Sequence, residues 1–324
     1  VKYLLHCDGP FPNLALMKLA RFFADQGEEV RCVRGQQRRD LWDGAGEVYG
    51  SSIFQFSAAK RAAAEREWGP IRWGGTGVSV SSNLSEISTE IDWEGVKPLY
   101  DIYPAYRNSI GFTQRGCRLS CKFCVVPEKE GRPKAVNSLW DIFRGSNYPR
   151  HILLLDNDFF GQPRDAWKTR LREARDGGFR LCFCQGINIR QLDEETAREL
   201  AATEYWDNEF ERRRLYTAWD NVKEEAAFRR GFDTLTAAGV PAKHLMVYML
   251  IGFAKDETWE AILYRFEVLR GLGCLPAPMV YNNQRQDLKA FQRWVYRGLY
   301  KNIPWEKYRD PRLGNGSGKG MRIA

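Results

Sequence analysis

Histidine is scarce in this chain, three in 324 residues, so imidazole ligands are in short supply. Long apolar runs are missing: none approaches the 18 residues that mark a membrane-spanning helix, and no membrane partner is expected. The N-terminal run Val1-Lys2-Tyr3-Leu4-Leu5 is cut short by His6-Cys7-Asp8-Gly9-Pro10, so neither a signal peptide nor an anchor is expected there. A first residue of valine reads as a trimmed chain or a lost initiator methionine. No cysteine follows Cys274, which leaves no cysteine-rich C-terminal extension for an auxiliary cluster. A phosphate loop is lacking too. The run Gly314-Asn315-Gly316-Ser317-Gly318-Lys319-Gly320 has neither the GxxxxGK[ST] register nor a preceding strand, and a flexible C-terminus is expected.

The hydrophobic content of 44% is ample for a core, and the length allows one large or two medium domains. Eight cysteines without an export signal point to a reducing, cytoplasmic setting. Lysine and arginine outnumber acids by 49 to 41, a net charge of +8 that is compatible with a polyanionic partner such as tRNA or DNA. The charge is dispersed, however. Its densest groups, Arg212-Arg213-Arg214 and Arg229-Arg230, read better as solvated helix surface.

One short stretch decides the chemistry. Cys117-Arg118-Leu119-Ser120-Cys121-Lys122-Phe123-Cys124 places three thiols on one loop, just after the strand-like run Ser109 to Thr113. Thiolates select iron–sulfur clusters, zinc or Cu(I), and cubanes and structural zinc normally take four protein ligands. Three close cysteines with no fourth nearby therefore point to a [4Fe-4S] cluster with one open iron.

The CxxxCxxC pattern, with Phe123 just before the third cysteine, resembles the signature of radical S-adenosylmethionine (radical SAM) enzymes. The resemblance implies that Cys117, Cys121 and Cys124 hold the cluster and that its open iron chelates the methionine moiety of S-adenosylmethionine. Reductive cleavage would then yield a 5′-deoxyadenosyl radical that abstracts hydrogen from a substrate. It also implies an electron donor such as flavodoxin or ferredoxin. The wider loop, from Gly116 to Val125-Val126-Pro127-Glu128-Lys129-Glu130-Gly131, is similar to that of the branch with cobalamin-binding or methylthiotransferase-type N-terminal domains.

The chain reads as α/β, in three parts. Residues 1–100 carry a β-α-β order: strands at Lys2–Cys7, Glu29–Val33, Ser52–Phe56 and around Ile71-Arg72-Trp73, with a helix from Asn13 to Gln26. This predicts a small Rossmann-like domain, similar in layout to the cobalamin-binding one. Cobalamin itself is not expected. The first loop, Asp8-Gly9-Pro10-Phe11-Pro12-Asn13, lacks the histidine of an Asp-x-His-x-x-Gly motif, and His6 reads as a packed strand residue. Gly74 to Gly77 is a glycine turn that is a weak candidate for approaching a phosphate or nucleotide. Residues 101–284 alternate strands and helices, with apolar runs at Ile110–Thr113, Ile152–Leu155, Phe179–Cys184, Leu215–Ala218, Leu245–Ile251 and Pro278–Tyr281. Six such units match the partial (β/α)6, TIM-like barrel that the resemblance implies. The clearest helix runs from Asp256, its expected N-cap, to Leu272. Residues 285–324 hold one more helix, roughly Leu288 to Tyr300, and a tail.

In parallel barrels, ligands gather at the C-terminal ends of strands. The second apolar run ends in Asp156-Asn157-Asp158-Phe159, in the place of the family's motif for the methionine amino group and similar to its Asp-Asp-x-Phe version. The third ends in Gln185-Gly186-Ile187-Asn188-Ile189-Arg190: Gln185 and Asn188 suit ribose hydroxyls or the carboxylate, and Arg190 suits the carboxylate. Asp220, after the fourth, is a candidate ribose acceptor. Tyr248 and Ile251 belong to the fifth, which resembles the apolar-glycine step near adenine. Phe123 is expected to stack beside adenine, and the Val125 backbone to read its edge. Cys182, Cys184 and Cys274 read as small buried hydrophobes.

The reading is a radical SAM enzyme acting on an unidentified small molecule, peptide or nucleic acid. Two enzyme alternatives stand beside it, a cobalamin-dependent radical methyltransferase and a methylthiotransferase-like tRNA-modifying enzyme. A nucleic-acid-binding Fe–S protein is the non-catalytic alternative. Against methylthiolation, the chain has neither an N-terminal three-cysteine cluster domain nor a recognisable C-terminal β-barrel RNA module.

Overall fold

Alternation along β1 (Lys2–His6) sends Tyr3 and Leu5 to one face of a sheet and Leu4 to the other. A computed structural model describes residues 1–34 and 46–313, so the glycine-rich run at 314–320 lies outside the described residues. The chain divides into two compact units, Val1–Phe179 and Arg180–Ala324.

In the first unit, β1 lies between β2 (Val30–Arg34) and β3 (Glu47–Ser51), and β4 (Arg72–Gly74) pairs with β3, all parallel. Helix α1 (Leu14–Asp25) packs Leu16, Leu19, Ala20 and Phe23 against Leu4 and Tyr49, while α2 (Ala58–Trp68) sets Ala64 and Trp68 against Tyr3, Leu5 and Val48. Both faces of the sheet are therefore covered, as a parallel sheet requires. Asn13 caps α1 by accepting from the Leu16 N–H at 3.1 Å. The third strand lies earlier than Ser52–Phe56. Those residues form a turn because the N–H groups of Ile53 and Phe54 and the Ser52 hydroxyl all donate to buried Asp8. His6 is buried, with Nε2 at the Asp8 carbonyl and Nδ1 facing the Tyr103 hydroxyl.

Further along this unit, β5 (Ser109–Gly111) leads into a two-residue strand, β6 (Gln114–Arg115). After the cysteine loop come α3 (Val126–Glu130), β7 (Lys134–Ala135) antiparallel to β6, and α4 (Leu139–Ile142). Then β8 (His151–Leu154) pairs in parallel with β5, and α5 (Arg164–Gly177) follows.

The second unit opens with β9 (Arg180–Phe183) and α6 (Glu194–Ala201). A parallel sheet of β10 (Leu215–Ala218), β11 (Leu245–Ile251) and β12 (Leu275–Val280) follows, with α7 (Glu225–Ala237) and α8 (Trp259–Gly271) as its crossovers. Thr258, rather than Asp256, caps α8: its side chain accepts from the Ala261 N–H. Helix α9 (Gln286–Tyr296) follows, burying Phe291 and Trp294 beside Phe266, and short turns at Leu299–Lys301, Trp305–Lys307 and Pro311–Leu313 end the described part. The fold class is thus mixed α/β with parallel sheets. No described helix is long and apolar enough to cross a membrane.

Candidate metal-cluster site

The cysteine loop leaves β6 through Gly116, whose φ of +80° suits glycine and where a Cβ would meet the Arg132 carbonyl oxygen at 2.3 Å. The Cys117 N–H then donates to the Gly131 carbonyl at 3.1 Å, so the loop's exit crosses its entry. Within it the Cys124 N–H donates to Cys121 O at 3.0 Å, and the Leu119 N–H donates to Cys117 Sγ at 3.4 Å. Cys117 and Cys121 are half-buried and Cys124 is exposed; none of the eight cysteines forms a disulfide. Burial pushes the Cys117 thiol up. Asp158 and the Cys121 and Cys124 thiols push it the same way, and the Leu119 N–H opposes them.

Three successive residues after β8 hold this loop and its two flanks. Asp156, buried at 4% exposure, accepts from the Thr113 N–H at 2.7 Å and from the Thr113 hydroxyl. Asn157 Nδ2 donates to Glu130 Oε2 at 2.6 Å, and that carboxylate also accepts from the Gly116 N–H and Arg115 Nη1, each at 3.0 Å. Asp158, 2% exposed, accepts from Arg118 three times: Nε at 2.7 Å, Nη2 at 2.9 Å and the backbone N–H at 3.1 Å. Buried Gln114 joins the two sides, accepting from the Asp158 N–H at 2.9 Å and donating to the Gly116 carbonyl at 2.7 Å. From α3, Lys129 Nζ donates to the carbonyls of Val80 (3.1 Å) and Ser82 (2.8 Å), fastening the loop's return to the segment after β4.

The structure therefore brings Cys117, Cys121, Cys124, Asp156, Asn157 and Asp158 together in the first unit. Phe123, half-buried, and Val125, exposed, sit on the same loop. Arg118, Gln114, Glu130 and Thr113 are the residues that sequence reasoning missed. Arg118 lies inside the motif, but its partner stands 40 residues away and no local pattern links the two. Gly74 to Gly77 also has a structural account. A Cβ on Gly75 would meet the Ser52 carbonyl oxygen at 2.4 Å, and one on Gly77 the Phe54 carbonyl oxygen at 2.6 Å, so the chain itself fills that space.

The second unit carries the other candidates. Gln185 is exposed. Asn188 Oδ1 faces Arg190 Nε at 3.5 Å, and Asn188 Nδ2 is buried with no hydrogen-bond partner among the described residues. Arg190 pairs with Glu224. Asp220 accepts from the Leu250 N–H at 2.8 Å, and burial pushes its carboxyl up while Arg265 and Arg190 oppose that. Tyr248 stacks on Tyr216, ring centroids 5.7 Å apart. Ile251 is fully buried just before Gly252, which opens on a cavity of about 250 Å³ lined by Phe253, Lys255, Glu257 and Arg285. Cys182 and Cys274 are buried, and burial pushes the Cys274 thiol up to about 12.

The donor chemistry fits an iron–sulfur cubane. Three thiols share one loop whose backbone offers an N–H to a sulfur, a contact that tunes such clusters. Among the described residues, no three His, Cys, Asp or Glu side chains group around a single ion. A cubane makes no such demand, because each thiolate binds a different iron. No family model, curated protein or solved structure matches this chain.

Proposed function

We propose that the chain is a cytoplasmic radical SAM enzyme whose Cys117, Cys121 and Cys124 hold a [4Fe-4S] cluster. The proposal includes an N-terminal Rossmann-like domain over residues 1–100, a partial (β/α)6 core over 101–284 and a C-terminal helix and tail over 285–324. The observation that carries it is the three-cysteine loop, exposed at Cys124 and tied down by a buried polar network. When bound, such a cluster would supply one electron to break the sulfonium-to-C5′ bond of S-adenosylmethionine, releasing methionine and the 5′-deoxyadenosyl radical that would abstract hydrogen from the substrate.

The chain's own residues do the rest. The three thiols would bind as thiolates, and the Leu119 N–H that donates to Cys117 Sγ favours that form at Cys117 against the burial that opposes it. Phe123 presents an apolar ring beside them. In the second unit, Asn188 Nδ2 is a buried donor with no partner among the described residues, and Asn188 is kept in this reading as a residue for a ribose hydroxyl or carboxylate. The substrate is a small molecule, peptide or nucleic acid, and a flavodoxin- or ferredoxin-type protein supplies the electron. Cobalamin is left out of this reading, since the first loop, Asp8 to Asn13, carries no histidine to replace the lower ligand and His6 is buried in β1.

Alanine at Cys117, Cys121 and Cys124 together is expected to abolish both iron uptake under anaerobic reconstitution and cleavage of S-adenosylmethionine. Iron retained by that triple variant would sink the assignment. A loaded wild-type protein that leaves S-adenosylmethionine intact would point instead to a structural cluster in a nucleic-acid-binding protein.

A further inference from the structure

We propose that Asp158 and Arg118 are positioning residues: the ion pair between buried Asp158 and half-exposed Arg118 sets the conformation of the Cys117–Cys124 loop before any metal arrives. The link to iron rests on the cluster reading, while the positioning of the loop can be measured without it. Arg118 is the residue directly after the first cysteine, and its guanidinium reaches Asp158 through two nitrogens in a fork, with the Arg118 backbone N–H as a third donor to the same carboxylate. A fork of this kind fixes direction as well as distance. Since the backbone and the side chain of one residue are both held, the peptide plane between Cys117 and Arg118 is held with them. Asp158 is itself fixed, because its N–H donates to Gln114 and Gln114 donates to the carbonyl of Gly116.

A separate observation bears on the same pair. Gly161, at the end of the turn after β8, lies so close that a Cβ there would stand 2.4 Å from Asp158 Oδ2 and 3.1 Å from Arg118 Nε. Its φ is not positive, so its lack of a side chain answers to that space and not to backbone conformation. Three points of the chain, at 118, 158 and 161, thus meet at one ion pair directly beside Cys117.

The test uses the full chain in two forms. In metal-free protein, hydrogen exchange of the amides from Gly116 to Cys124 reads the loop directly. In anaerobically reconstituted protein, iron content, the electron paramagnetic resonance spectrum and the rate of iron removal by a chelator read its effect on the site. Asp158→Asn, Arg118→Gln and Gly161→Ala are each expected to speed loop exchange in the metal-free form. Each should also raise the chelation rate by about tenfold or more, the usual effect of losing a group that supports a metal ligand. Arg118→Lys keeps the charge without the fork and should fall between wild type and Arg118→Gln. Should Asp158→Asn misfold by circular dichroism, Arg118→Gln, whose side chain is 32% exposed, carries the test alone. Loop exchange and chelation at wild-type rates in Arg118→Gln would overturn the proposal. If wild type takes up no iron, yet the variants still lose loop protection, the pair retains its positioning role and the cluster reading alone fails.

Discussion

Asp156 shows how far burial can alter a carboxylate that the chain has put to structural use. Burial pushes it from 3.8 up to about 7, although the Thr113 hydroxyl and the N–H groups of Thr113 and Gln114 work the other way. The folded protein therefore holds a proton that the unfolded chain releases on going from about pH 4 to about pH 7. Stability from this proton is complete below the ordinary carboxylate pKa and is lost as pH rises to about 7. In urea unfolding at stepped pH, wild type should lose stability relative to Asp156→Asn across that window, and parallel curves would refute the assignment. Asp156 holds Thr113 before the cysteine loop and Asn157 holds Glu130 after it, so Asp156→Ala with Asn157→Ala should lower iron content after anaerobic reconstitution as well as S-adenosylmethionine affinity.

Among the elements, α8 adds one buried cation to its apolar contacts at Ile262, Phe266 and Leu269. Arg265, 1% exposed, donates to the carbonyls of Trp219 (3.1 Å) and Leu250 (3.2 Å) and pairs with Glu257. Glu257 in turn accepts from the Gly252 N–H at 2.6 Å. One side chain thus joins α8 to the ends of β10 and β11. Arg265→Met keeps much of the apolar stem but strands a buried carboxylate and two carbonyls, and should cost about 3–5 kcal/mol in chemical unfolding. A change below about 1 kcal/mol would show that water replaces the guanidinium without penalty. Companion Glu257→Gln should cost less, since its amide oxygen still accepts from Arg265 or Gly252.

For the molecule as a whole, the decisive quantity is iron per chain. One cubane corresponds to about four irons. The other cysteines bear on that count: Cys182 and Cys274 are buried, and burial pushes their thiols up, while Cys184, expected to be buried, is half-buried. Alanine at Cys182, Cys184 or Cys274 is expected to leave iron content unchanged, as measured by colorimetric iron analysis after reconstitution. A fall to half would reveal a second cluster. The net charge of +8 leaves a nucleic-acid substrate open, and loss of binding with rising salt would be its mark.

Much of the element pattern was legible because it is local. The runs Leu215–Ala218 and Leu245–Ile251 are strands with those bounds, since buried parallel strands need an unbroken apolar side-chain supply. The cysteine spacing is equally local, because one loop carries all three thiols. The errors arose where a distant group takes over. Ser52–Phe56 has strand-like residues, but Asp8 draws its N–H groups into a turn. Thr258 displaces Asp256 as the cap of α8, a choice between two plausible residues that only backbone geometry makes. Sequence by itself determined where the thiols stand and the bounds of strands such as Leu215–Ala218 and Leu245–Ile251. Tertiary structure alone decided that Asp156, Asn157 and Asp158 hold the cysteine loop and its flanks and that Arg118 meets Asp158. Those contacts span 27 to 43 residues, and a hydrogen bond of that reach leaves no period or spacing in the sequence to be read.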